Sequence, residues 1–116
     1  MQYLLLIYQN EAELAQATAA GRTQMTEEYR SFTQSIIQSG HFKAGDALQP
    51  SSTATSIRVR EGKTLPTDGP FAETREQLGG YYLIEAKTLD EAIAIAARIP
   101  GARTGSIEVR PIRVYK

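Results

Sequence analysis

The residues best suited to chemistry lie between Leu65 and Gly80. Asp68-Gly69-Pro70-Phe71 places a carboxylate, a Gly-Pro turn and an aromatic ring side by side, and Glu73, Arg75 and Glu76 follow. Asp68 is the leading candidate. Beside such a turn its carboxylate either bonds local backbone amides or points into a cleft as a base or orienting group. Glu73 and Glu76 could join it in a carboxylate set for proton transfer, one member raised in pKa by its neighbours' charge. The duller alternative, surface charge, suits Glu73 and leaves Glu76 open. Phe71 is either a plug packed into the core or a partner subunit, or one wall of a ligand pocket.

Three tyrosines add amphipathic rings whose hydroxyls need partners when buried. Tyr29 falls on an apolar helix stripe, and one of Tyr81 and Tyr82 must face inward. A cleft between helix and sheet lined by Tyr29, Tyr82, Phe71 and Asp68 would be mostly apolar with a few polar groups, as small-molecule pockets are. The alternative is plain core tyrosines with bonded hydroxyls. Arg58 and Arg110 lie on strands, where either could anchor an anionic ligand or pair across strands with Glu85 or Glu108. His41, the single histidine, could act as a base but more often such a residue caps a helix end.

Other chemistries lack their residues. There is no cysteine, hence no thiolate nucleophile, disulfide or Cys-bound metal. Carboxylates without a neighbouring His make a poor transition-metal site. No Gly-x-Ser-x-Gly elbow and no phosphate-binding glycine pattern occurs, so no cofactor is expected. Thirteen basic residues balance thirteen acidic ones. That balance lacks the basic footprint of a nucleic-acid binder. No stretch approaches the roughly 18 apolar residues that span a bilayer, and the N-terminus reads as a strand rather than a signal peptide. A cytoplasmic location is expected.

The elements that must position these residues follow from periodicity. Met1–Tyr8 reads as a buried strand, and Glu11–Ala20 as a helical turn or loose connection. Met25, Tyr29, Phe32, Ile36 and Ile37 form an amphipathic helix stripe over about residues 24–39, with Gly40 at a left-handed cap. His41–Leu48 is extended. Thr55–Arg60 alternates as a half-buried strand and turns through Glu61-Gly62-Lys63 into Thr64–Thr67. Gly80–Ala86 is a strong strand. Thr88-Leu-Asp-Glu91 is a capping box opening a helix with the stripe Leu89, Ala92, Ile93, Ala96 and Ile99. Ser106–Tyr115 closes the chain, with Pro111 marking an edge or bulge. Without the extra hairpin the order is βαββαβ, an α+β ferredoxin-like pattern in a single domain over residues 1–116. Apolar residues on both strand faces predict sheet-to-sheet pairing in a homodimer.

Several segments, in order, carry a resemblance: Met1–Tyr8, Ala44–Pro50, Thr67–Glu73, Glu76–Ile84 and Gly105–Pro111. The chain resembles the DGPF group of the YCII-related family nearly end to end. The resemblance implies a bacterial protein with the dimeric α+β barrel fold, and a sigma-factor association through the genomic context of some relatives. In the broader family a His–Asp pair is a proposed active site, with the His on the first helix. This chain has Tyr29 and no His there, so only Asp68 carries over, as a motif position. Two functions are in play. One is a dimer that binds a small molecule, with acid–base work by Asp68 and hydrogen bonding by Tyr29 or Tyr82. The other is a non-catalytic interaction or sensing module in which Asp68–Phe71 is a structural clasp.

Overall fold

The computed structural model, describing residues 1–115, builds strand β1 (Gln2–Gln9), helices α1 (Glu11–Leu14) and α2 (Ala19–Gln38), and strand β2 (Phe42–Ala47). Strands β3 (Thr55–Arg60), β4 (Lys63–Asp68) and β5 (Gln77–Glu85), helix α3 (Leu89–Ala96) and strand β6 (Ser106–Pro111) follow. The four-stranded sheet runs β2-β5-β1-β6, and every neighbour pair is antiparallel. This is an α+β fold with open sheets, and its strand order is consistent with the ferredoxin-like pattern. β3 and β4 form a separate hairpin inserted between β2 and β5.

Alternation in the central strands decides which side chains reach the helices. Tyr3, Leu5 and Ile7 of β1 and Tyr82 and Ile84 of β5 point to one face and are buried. Phe32 and Ile36 of α2 and Ala92, Ile95, Ala96 and Ile99 around α3 cover them. Leu4, Leu6, Leu83 and Tyr81 point to the other face, where they are half-buried and, among the described residues, no helix lies over them. Pro111 pairs with Tyr3 at the end of β6, an edge strand, so its missing N–H breaks no internal ladder.

Helix ends follow local chemistry. α2 starts at Ala19 rather than at the predicted residue 24, because Thr18 accepts from the Gly21 amide at 3.0 Å and caps it earlier. It stops at Gly40, whose φ of +83° lets the His41 amide bond the Ile36 carbonyl at 2.9 Å. Thr88 caps α3 through the Glu91 amide at 3.1 Å, while the Glu91 carboxylate reaches the Lys87 amide at 3.2 Å. The α3 stripe is rotated from expectation. Ile95 turns inward beside Ala92 and Ala96, leaving Leu89 and Ile93 about half exposed. Ile37 likewise sits outside the α2 stripe.

The hairpin is a projecting arm. Its turn places Glu61 and Gly62 at φ of +52° and +75°, the geometry of a tight hairpin with the strands' own twist. Ile57, Val59 and Leu65 remain about half exposed, and Phe71 beyond the hairpin is 81% exposed, so Phe71 is not a plug in its own core. The arm makes the molecule broad and thin, 48 × 48 × 19 Å. Its radius of gyration is 16.2 Å, against about 13 Å for a compact domain of this length.

Candidate functional site

A cleft of about 810 Å³ opens between α1 and α2 on one side and the β2–β5 end of the sheet on the other. Tyr29 and Thr33, one helical turn apart on α2, face Tyr82 of β5 and Phe42 of β2 across it. The Tyr82 hydroxyl and Thr33 Oγ1 share a hydrogen bond of 2.7 Å. The Phe32 and Phe42 rings each meet the Tyr82 ring in a T-shaped pair, at centroid distances of 5.2 and 6.4 Å. Gly45 makes that arrangement fit: a Cβ there would lie 2.8 Å from Tyr82 Cδ1.

At the inner end, Tyr29 accepts a hydrogen bond from the Gly101 amide at 3.2 Å. Gln9 Nε2 is buried beside the same glycine and has no hydrogen-bond partner among the described residues. A Cβ on Gly101 would lie 2.4 Å from that nitrogen and 2.7 Å from the Tyr29 oxygen, so only glycine lets both groups approach. Burial pushes the Tyr29 phenol above its usual pKa, and the Gly101 amide only partly offsets this. Burial also raises the Tyr82 phenol, against the opposing Thr33 bond. Both therefore stay protonated at neutral pH and act as neutral hydrogen-bonding groups. At the mouth, Glu11 accepts from the Ser51 amide at 2.8 Å and its hydroxyl at 2.7 Å, tying α1 to the segment after β2. Asp46 accepts from the Tyr81 hydroxyl at 2.7 Å.

The profile of the YCII-related domain matches residues 1–116. An uncharacterized protein of Rhizobium meliloti (strain 1021) is 35% identical over 118 residues, an alignment covering 100% of this chain and 95% of that one. The chain belongs to the YCII-related family.

In this YCII-related chain the cleft unites Tyr29 and Tyr82 but not the remaining sequence candidates. Asp68 ends β4 opposite Thr55 on the exposed arm, and among the described residues its carboxylate makes no hydrogen bond that would cap the turn. The turn is held instead by two other bonds: the Gly69 amide donates to the Ala54 carbonyl at 2.7 Å, and Ser56 Oγ to the Gly69 carbonyl at 2.8 Å. Phe71 is outside the cleft of its own chain. Glu76 accepts from Ser106 Oγ at 2.8 Å, near the edge of the sheet. Arg58 is on the arm, and Arg110 pairs with Glu108 at 3.4 Å on β6. His41 bridges two helix ends, with Nδ1 2.6 Å from Ser39 Oγ and Nε2 3.0 Å from Glu91 Oε1. Among the described residues no group of three or more His, Asp or Glu side chains is placed to hold a metal ion, and no helix is long and apolar enough to cross a membrane.

Gln9, Thr33 and Phe42 are cleft residues that reading the sequence missed. Gln9 carried a signal: after Tyr3, Leu5 and Ile7 it takes the next inward position of β1, where a polar side chain needs a reason. Thr33 stands one turn after Tyr29. Phe42 starts a strand too short and glycine-broken to reveal its facing.

Proposed function

We propose that this YCII-related chain, of the DGPF group, is a small-molecule-binding protein that works as a homodimer, its binding site the cleft between α2 and the β2–β5 edge. One observation carries the binding reading: a largely apolar cleft of about 810 Å³ holds a few convergent polar groups, Tyr29, Tyr82, Thr33 and Gln9. That size and composition suit a small organic ligand. The homodimer is supported by the uncovered sheet face bearing Leu4, Leu6, Leu83 and Tyr81. Two such faces packed together would make a dimeric α+β barrel and remove an apolar surface from water. Native mass spectrometry tests both parts. A dimer mass carrying a stoichiometric small molecule, lost from Tyr29→Ala, is expected. A monomer overturns the dimer, and protein that stays empty in extracts of its source overturns the binding site.

A second reading makes the arm a clasp on the partner copy. Ile57, Val59 and Pro66 share one face of the hairpin with Asp68, and Phe71 extends beyond it, all without cover. In that arrangement Asp68 works, as base or fastener, against the other subunit rather than within its own chain. Ile57→Asp with Val59→Asp should then shift the size-exclusion peak from dimer to monomer while far-UV circular dichroism stays unchanged. An unchanged dimer rules the clasp out.

A further inference from the structure

The inner end of the cleft discriminates between chemical classes, an argument that rests on the binding reading above. Two hydrogen-bond donors there lack an acceptor among the described residues. Gln9 Nε2 is buried without a partner. The Tyr29 oxygen already accepts from the Gly101 amide, and among the described residues no acceptor takes the Tyr29 proton. Buried donors left unpaired are costly, so a ligand group that accepts from both gains most there. Gly101 holds the pair together, since any side chain at that position would displace both atoms.

Charge narrows the class further. The charged residues lining the cleft are Glu11, Asp46 and Arg22. Two carboxylates against one guanidinium do not favour an anion. A cation is not favoured either. Glu11 already takes two donors from Ser51, Asp46 takes one from Tyr81, and the inner end adds the Gln9 N–H and Tyr29 O–H donors. The walls between are apolar or aromatic: Ile7, Phe42, Tyr82 and Leu48. We infer that the cleft takes a neutral, largely apolar compound bearing a carbonyl oxygen, which docks between Gln9 and Tyr29.

Four probes of similar size separate the possibilities: acetophenone, ethylbenzene, benzoate and benzylammonium. Each is titrated by ligand-observed NMR against the intact protein and against Gln9→Leu/Tyr29→Phe, with Tyr29→Phe alone standing in should the double variant fail to fold. Acetophenone should bind about tenfold more tightly than ethylbenzene, the worth of roughly one good buried hydrogen bond. Benzoate and benzylammonium should bind more weakly than acetophenone. In the double variant the ketone's advantage should vanish while ethylbenzene binds as before; Tyr29→Phe alone should shrink it severalfold. Tighter binding of either ion, or a ketone preference that survives the substitutions, overturns the carbonyl assignment and leaves the binding site standing. Binding of none of the four at millimolar concentration overturns the binding site and this inference with it.

Discussion

The body and the arm are built from similar strand-forming residues, yet they are held together differently. In the body, each inward-facing apolar residue of β1 finds neighbours on two strands and a helix above, and Leu5, Ile36 and Ile84 lose all contact with water. In the arm, Ile57 and Val59 alternate as cleanly but have only each other and β4, and they stay 57% exposed. The contrast teaches that alternation specifies a strand and its facing, while burial depends on whether another layer arrives. The body's second layer comes from its own helices; among the described residues the arm has none. The cleft belongs to the body, and the acidic Gly-Pro turn belongs to the arm.

That contrast can be broken by substitution, and the largest effect should come from the deepest core. Ile84→Ala removes a fully buried side chain at the centre of the sheet. It should cost about 2–5 kcal/mol in urea unfolding, and a loss below about 1 kcal/mol would mean that the body is no better packed than the arm. Gly45→Ala forces a Cβ to within 2.8 Å of Tyr82 Cδ1. A loss of about 1–3 kcal/mol is expected from such overpacking, together with altered Tyr82 ring chemical shifts by NMR. Tyr82→Phe deletes the bond to Thr33 and should cost about 1 kcal/mol, with the ring packing kept. The smallest effect belongs to the arm. Val59→Ala, measured on the monomer, should change stability by less than about 0.5 kcal/mol.

A pH titration sharpens the comparison. The Lys87 amide, and after it His41, hold the Glu91 carboxyl below its ordinary value of 4.5. Because the folded value is the lower one, this carboxylate adds stability above the unfolded value, and that contribution is lost as pH falls through the folded value. The thermal midpoint should therefore decline as the solution is acidified below about pH 4.5. Glu91→Gln should flatten that decline. An acid limb of unchanged steepness in the variant would assign it to other carboxylates.

Much of this architecture was legible in the residues. The helix stripe of Met25, Tyr29, Phe32 and Ile36, the Gly40 stop, the Thr88 cap and the inward facing of Tyr82 each rest on short-range rules, and each stands in the structure. The rotation of α3 was not legible, because an eight-residue helix rich in alanine offers two plausible stripes and the sheet beneath chooses between them. Nor was the separation of Asp68 from Tyr29. Neither local propensity nor periodicity records that a hairpin inserted between two paired strands will lean away from the sheet. Gln9 was readable in principle, as the one polar residue in a series of inward positions.

The tight turn at Glu61-Gly62 lies at the far end of the arm, with Arg60 and Lys63 on either side. Cutting the backbone there would leave β1 and β2 on one fragment and β5 and β6 on the other. Because β5 pairs with both β1 and β2, and β6 with β1, the two pieces interleave strand by strand in a single sheet. Trypsin nicking at that tip should thus yield halves that remain associated and folded. The same position suits a circular permutant, or a split reporter reconstituted from two separately produced fragments.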